Sequence, residues 1–143
     1  MLKLPPLSLY VHIPWCVQKC PYCDFNSHAQ KGDIPEQDYI YHLLRDLQTD
    51  LQHFKDSIQQ RKLHSIFIGG GTPSLFLAES IAYLLKEIKT QIDFEDNIEI
   101  TLEANPGTVE AERFKGYVSA GITRISMGIQ SFNAVSYTHL TLP

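Results

Sequence analysis

The sequence contains no apolar run of about 18 residues, the length that a membrane-spanning helix needs. It also has no excess of positive charge, because 12 lysines and arginines stand against 16 aspartates and glutamates, with a formal net charge of −4 at pH 7. A broadly basic surface for nucleic acid is therefore not expected. The segment 1–6 is short and contains Pro5 and Pro6, so it does not resemble a secretory leader.

Cysteine is scarce, with three residues among 143. An odd number cannot form a closed set of disulfides, and all three lie within residues 16–23. This argues against a disulfide framework and favours a reducing, cytoplasmic compartment, with a metal or redox role for the thiols. Apolar residues, in contrast, make up 43% of the chain, which is enough for the core of one domain.

Strand-like and helix-like apolar patterns alternate along the chain. Strands are predicted over residues 7–13, 65–68, 98–103 and 122–129. Amphipathic helices are predicted over residues 33–54, 77–88 and 108–118. Asp33 and Thr108 are the expected caps of the first and third helices, and Gly121 is the expected stop of the third. This order favours a parallel α/β sheet with right-handed crossovers, either an open doubly wound sheet or a barrel.

The unusual motifs follow the strand ends. The cysteines follow the first predicted strand, Gly69–Gly71 the second, Glu103–Pro106 the third, and Met127–Gln130 ends the fourth. Both parallel architectures collect ligands at the carboxyl ends of their strands. Turn residues also gather at strand ends without any function, but four motifs at one edge favour a binding site there.

The cysteines are spaced C-x3-C-x2-C at positions 16, 20 and 23. Soft thiolate ligands select zinc or an iron–sulfur cluster. A closed zinc site needs a fourth ligand, for which His12 and His28 are the local candidates. A four-iron cluster can instead take three thiolates and leave one iron open.

The spacing, with an aromatic residue just before the last cysteine, resembles the radical S-adenosylmethionine family. The resemblance implies a [4Fe-4S] cluster held by Cys16, Cys20 and Cys23, with S-adenosylmethionine bound at the open iron and cleaved to a 5′-deoxyadenosyl radical by one electron. It also implies the fold, which is the N-terminal part of a parallel (β/α) partial TIM barrel of radical SAM type, truncated after about four strands.

Longer segments are similar to the oxygen-independent coproporphyrinogen III oxidase group. They are Tyr10–Cys16, Cys20–Ser27, Gly69–Ser74, Glu103–Gly107 and Ser126–Phe132. The true oxidases of that group carry a fourth cysteine two residues after the third, where this chain has Phe25. The difference indicates the other branch, the HemW-type heme chaperones, which deliver heme to target proteins. The alternative is radical decarboxylation of coproporphyrinogen III in porphyrin biosynthesis.

The resemblance also implies roles for individual residues. Contacts to one S-adenosylmethionine are implied for Tyr10, Gly70 and Glu103. Contacts to a second nucleoside-bearing ligand are implied for Tyr22, Gly71, Thr72 and Gln130. The residues themselves leave other interpretations open, because Tyr10 could be a core tyrosine, Glu103 a solvated carboxylate and Gln130 a surface amide. No catalytic side chain is assigned, and the implied partners are heme or porphyrin, client proteins and an electron donor, but no nucleic acid.

The last residues do not fit the family pattern. Residues 1–133 are expected to form the radical SAM core, and residues 134–143 resemble the translation of a sequencing-library adapter. A full barrel needs about 200 residues or more. We therefore expect a shortened chain that ends in a non-native tail, with the heme-binding and client-binding regions outside it.

Overall fold

The computed structural model describes residues 3–106 and 111–136. In chain order the elements are β1 (Leu7–Ile13), β2 (Trp15–Cys16), β3 (His28–Ala29), α1 (Glu36–His53), α2 (Lys55–Ile58), β4 (Leu63–Gly70), α3 (Ala78–Gln91), β5 (Phe94–Ala104), α4 (Ala111–Ala120) and β6 (Arg124–Met127). A short 3₁₀ turn, Pro73–Leu75, lies between β4 and α3. Within these residues, no helix combines the length and the apolarity that a membrane crossing requires.

Strands β1, β4, β5 and β6 form one parallel sheet, in the order in which the chain supplies them. This confirms the predicted parallel α/β fold. A doubly wound sheet reverses its strand order at a switch point, whereas a barrel wall adds each new strand beside the previous one. The sequential order is therefore that of a barrel wall.

The helices α1, α3 and α4 pack side by side and cover one face of the sheet. Alternate residues of each strand point to that face, so the strand positions Val11, Ile68 and Leu102 are buried beneath the helices. The neighbouring register row, Tyr10, Phe67, Thr101 and Arg124, belongs to the opposite face. The sheet thus has an apolar face under helices and a second face of polar and aromatic side chains.

Two predicted helix starts differ from the structure. Helix α1 begins at Glu36, with Pro35 at the capping position, so Asp33 does not cap it. The Glu36 carboxylate instead accepts a hydrogen bond of 3.2 Å from the backbone N–H of Leu77. Leu77 precedes α3 and is 55% exposed, so it does not belong to the buried helix face. Thr108, the predicted cap of the third helix, lies outside the described residues.

The predicted stop at Gly121 is confirmed. Its φ angle is +105°, a left-handed conformation that glycine adopts without steric cost. The N–H of Gly121 donates to the carbonyl of Val118, and that of Ile122 to the carbonyl of Tyr117, both at 3.0 Å. These two bonds form a Schellman motif, which satisfies the last carbonyls of α4 and turns the chain into β6.

Candidate cluster and cofactor site

The cysteine loop leaves the end of β1 and is closed at its base by a second, two-stranded sheet. There β2 and β3 pair, with Cys16 opposite Ala29. Trp15 packs edge-on against Tyr39 of α1, with ring centroids 4.7 Å apart. Within the loop, the N–H of Cys23 donates to the carbonyl of Cys20 at 3.0 Å. The first cysteine is therefore fixed by the small sheet, and the other two share a tight turn.

Side chains outside the cysteine triplet hold the exit of the loop. Lys19 Nζ donates to the carbonyls of Phe25 and Ser27, at 3.3 and 3.4 Å. His12 Nε2 lies 2.7 Å from the carbonyl oxygen of Asn26. Because a carbonyl oxygen only accepts, this nitrogen carries the proton. In the neutral ring the other nitrogen, Nδ1, then accepts the hydroxyl of Tyr10, 2.9 Å away.

A cavity of about 240 Å³ opens between the cysteine loop and the carboxyl ends of β4, β5 and β6. It brings together eight of the residues that the sequence predicted for the site: Cys16, Cys20, Cys23, Tyr22, Gly70, Gly71, Glu103 and Gln130. The cysteine loop and the strand ends therefore lie next to one another, around one cavity. A larger groove of about 770 Å³, beside the N-terminal end of α1, is lined by none of the residues predicted for the cluster and cofactor site.

The two glycines allow the strand end and the cysteine loop to approach closely. A Cβ atom on Gly71 would lie 2.5 Å from the carbonyl oxygen of Trp15 and 3.0 Å from Cys16 Sγ. One on Gly70 would lie 2.6 Å from His12 Cε1, and the φ angle of Gly70 is +117°. A side chain at Gly71 would displace the cysteine loop, and one at Gly70 would collide with His12 at the end of β1, so both glycines are required for the close packing beside the cavity.

The carboxylate of Glu103 is fixed at the rim of the cavity. Its Oε2 accepts a hydrogen bond of 3.0 Å from the N–H of Gly70. Glu103 also acts on the neighbouring Tyr10: burial, and then the negative charge of Glu103, raises the pKa of the Tyr10 hydroxyl above its ordinary value. Glu103 therefore belongs to the site and is not a solvated carboxylate on the far side of the sheet.

Two predicted residues, Tyr10 and Thr72, do not line the cavity. Tyr10 stacks on Phe67, with ring centroids 6.2 Å apart, on the polar face of the sheet. Thr72 is 2% exposed, and its hydroxyl accepts a hydrogen bond of 3.1 Å from Asn105 Nδ2. Asn105 lines the cavity itself and was missed, because Asn before Pro is typical of an ordinary turn.

The donor set fits an iron–sulfur cluster. All three cysteines are free thiols of intermediate exposure, and all face one cavity. Among the described residues, no three His, Cys, Asp or Glu side chains are grouped to hold a single metal ion. A zinc site needs four ligands around one ion. A four-iron cluster, in contrast, can be held by three thiolates, which is the number that lines this cavity.

Comparison with known proteins places this geometry in a family. The model of the radical SAM superfamily matches residues 10–140. The chain is 93% identical over 133 residues to the heme chaperone HemW of Haemophilus influenzae and 57% identical over 133 residues to that of Escherichia coli. These matches cover 93% of this chain, but 35% and 34% of the two relatives. The chain thus spans about a third of their length.

A solved structure is also similar. It is that of coproporphyrinogen III oxidase (HemN) from Escherichia coli, a radical SAM enzyme, with a TM-score of 0.74 and 30% sequence identity. The match covers 94% of this chain and 30% of that enzyme. The parallel barrel wall, the three-thiol cavity and the family match over residues 10–140 agree, and we conclude that the chain belongs to the radical SAM superfamily.

Proposed function

We propose that this chain supplies the cluster-binding and S-adenosylmethionine-binding part of a HemW-type heme chaperone, which delivers heme to target proteins. The observation that carries the proposal is the 93% identity over 133 residues to a heme chaperone. An alignment of 133 of the 143 residues must include the cysteine loop and the strand ends that surround the cavity. The protein is proposed to work in the cytoplasm, where free thiols such as these stay reduced.

In this proposal Cys16, Cys20 and Cys23 hold a [4Fe-4S] cluster. When bound, the cluster would supply one electron to S-adenosylmethionine. Three free thiols that line one cavity support the cluster. The chain must also orient a cofactor that carries positive charge, and the fixed carboxylate of Glu103 provides a negative charge at the rim for that purpose.

The residues proposed to contact one S-adenosylmethionine are Tyr10, Gly70 and Glu103. Gly70 and Glu103 are joined by a hydrogen bond of 3.0 Å, so a ligand that touches one is within reach of the other. Tyr10 lies on the same sheet face and is coupled electrostatically to Glu103. For a second nucleoside-bearing ligand we propose Tyr22, Gly71, Thr72 and Gln130. Tyr22, Gly71 and Gln130 line the same cavity as the cysteines.

A second candidate function is decarboxylation of coproporphyrinogen III. It is favoured by the structural similarity to the coproporphyrinogen III oxidase of Escherichia coli. Phe25 argues against it. This residue lines the cysteine cavity, is 65% exposed, and occupies the position where the oxidase branch is expected to carry a fourth cysteine. The partners proposed for the chaperone are heme, heme-accepting client proteins and an electron donor.

A chimera tests the proposal. The matching 133-residue segment of the Haemophilus influenzae heme chaperone is replaced by that of this chain, and the chimera is purified without oxygen. We expect iron and sulfide in the protein, heme binding visible in its Soret absorbance, and no protoporphyrinogen formed from coproporphyrinogen III with reductant and S-adenosylmethionine. Formation of protoporphyrinogen would establish the oxidase instead. Zinc without iron or sulfide would refute the cluster.

A further inference from the structure

The cavity contains a polar side chain to which the proposed function gives no role. Asn105 immediately follows β5 and lines the cavity together with Glu103 and Gln130. Its backbone is restrained because the residue after it is Pro106, which confines the preceding residue to extended conformations. A carboxamide offers both hydrogen-bond donors and an acceptor. Asn105 is therefore a polar group on a restrained backbone, at the place where a nucleoside is proposed to bind.

Thr72 has the opposite placement. It is proposed as a nucleoside contact, yet its side chain is 2% exposed and does not line the cavity. Its backbone N–H donates to the carbonyl of Trp15 at 2.7 Å, which fixes it behind the cysteine loop. Its hydroxyl accepts from Asn105 Nδ2 at 3.1 Å. The side chain of Thr72 therefore meets the cavity through the amide of Asn105.

A second amide points to the same place. A Cβ atom added to Gly128 would lie 3.5 Å from Asn105 Oδ1 and 3.5 Å from Gln130 Nε2. The ends of the two carboxamides thus flank the same glycine at the rim of the cavity. The bond to Thr72 sets the orientation of the Asn105 amide, with its nitrogen toward Thr72 and its oxygen toward Gly128.

We propose that Asn105 is a ligand-contacting residue, paired with Gln130 to bind the nucleoside part of the second ligand proposed above, which we take to be a second S-adenosylmethionine, and that Thr72 is a positioning residue whose side chain acts only through Asn105. The purine edge and the ribose hydroxyls offer the donors and acceptors with which carboxamides pair. The proposal deepens the function proposed above and rests on it.

A double-mutant cycle separates the two roles. The chain is reconstituted anaerobically with iron and sulfide, and its dissociation constants for a first and a second S-adenosylmethionine are measured calorimetrically for wild type, Asn105→Ala, Thr72→Val and the double variant. We expect Asn105→Ala to weaken binding of the second molecule about tenfold and Thr72→Val about threefold, the effects of losing one hydrogen bond made directly or indirectly. In the Asn105→Ala background, Thr72→Val should have no further effect.

Controls keep folding and binding apart. Thr49→Val removes a comparable hydroxyl that donates to the carbonyl of Arg45, on the far helix α1, and should change neither affinity nor iron content. Thr72→Ser keeps the hydroxyl and should bind like wild type. Iron per chain and the melting temperature are recorded for every variant. Asn105 is exposed, so Asn105→Ala is expected to fold and decides the point alone.

The possible results of the double-mutant cycle bear on different parts of the proposal. Wild-type affinity for the second molecule in Asn105→Ala, or a wild-type chain that binds only one molecule, overturns this inference and leaves the cluster and the first S-adenosylmethionine of the proposed function in place. Additive losses in the double variant show that Thr72 contacts the ligand itself, which overturns its positioning role. A wild-type chain that takes up no cluster or no S-adenosylmethionine refutes the proposed function, and this inference with it.

Discussion

At the scale of single residues, Gly71 sits where no side chain fits. Its Cβ would meet the backbone of Trp15 at 2.5 Å, and backbone cannot move aside as a flexible side chain can. We predict that Gly71→Ala lowers the free energy of unfolding by about 1–3 kcal/mol, the usual cost of overpacking, measured by urea denaturation. Because Cys16 Sγ would also be displaced, less iron should be taken up per chain.

Gly128→Ala is the matched control for this variant. A Cβ there would meet no atom closer than 3.5 Å, which is ordinary contact, and the residue has no positive φ. Its stability should stay within about 0.5 kcal/mol of wild type. Equal stabilities for Gly71→Ala and Gly128→Ala would contradict the close approach of the glycine strand end to the cysteine loop.

A second prediction for single residues concerns the cysteines and the iron content of the chain. If each of them binds a different iron of one cluster, Cys20→Ser should remove most of the iron and sulfide from the anaerobically reconstituted chain, together with the visible absorbance of the cluster. Val17→Ala changes an exposed residue of the same loop, 60% accessible, and should leave the iron content unchanged. Full iron content in Cys20→Ser would refute the three-thiolate cluster.

At the scale of elements, α4 holds the turn that follows the glycines. The hydroxyl of Tyr117 is buried and lies 2.7 Å from the carbonyl of Ser74 and 2.8 Å from that of Phe76. Tyr117→Phe leaves both carbonyls without this donor, so we predict a loss of about 1–3 kcal/mol in the free energy of unfolding. Tyr83→Phe, on the exposed side of α3, should cost less than about 0.5 kcal/mol.

The same tyrosine predicts how stability depends on pH. Burial, opposed in part by Arg113, raises the pKa of Tyr117 above its ordinary value of 10.0. Above that value the unfolded chain loses a proton that the folded chain retains, so stability falls as pH rises beyond about 10. Tyr117→Phe should reduce this slope without abolishing it, because the pKa values of Tyr10 and Tyr39 are raised as well. An identical slope in the variant would contradict this assignment.

The helices and strands also show what could and could not be predicted from the sequence. Periodicity predicted the parallel order, and the motif positions predicted the edge where the site lies, because strand ends converge in any parallel sheet. The family resemblance then implied the individual residues, eight of which line the cavity. The predicted cap at Asp33 was wrong, because α1 begins at Glu36. The Glu36 carboxylate accepts a hydrogen bond from the distant Leu77. The bond between Asn105 and Thr72 could not be predicted, because it joins residues 33 positions apart and no local pattern encodes it.

At the scale of the whole molecule, the sheet has two unlike faces. Helices cover one, while the row of Tyr10, Phe67, Thr101 and Arg124 follows the other. Such a mixed polar row suits the interior of a barrel that binds ligands more than a dry core. The cavity sits where this face meets the cysteine loop, so the cofactor proposal and the barrel geometry depend on the same surface.

The last residues bear on the extent of the native domain, which we propose to be residues 1–133. Phe132 is 95% and Val135 66% exposed, so the described end of the chain contributes little to the core. A chain that stops after Asn133 should therefore keep the melting temperature and the iron content of the 143-residue chain. A lower melting temperature would show that residues 134–143 pack against the domain. Genomic DNA that continues in frame from Asn133 through Pro143 would independently refute a non-native tail.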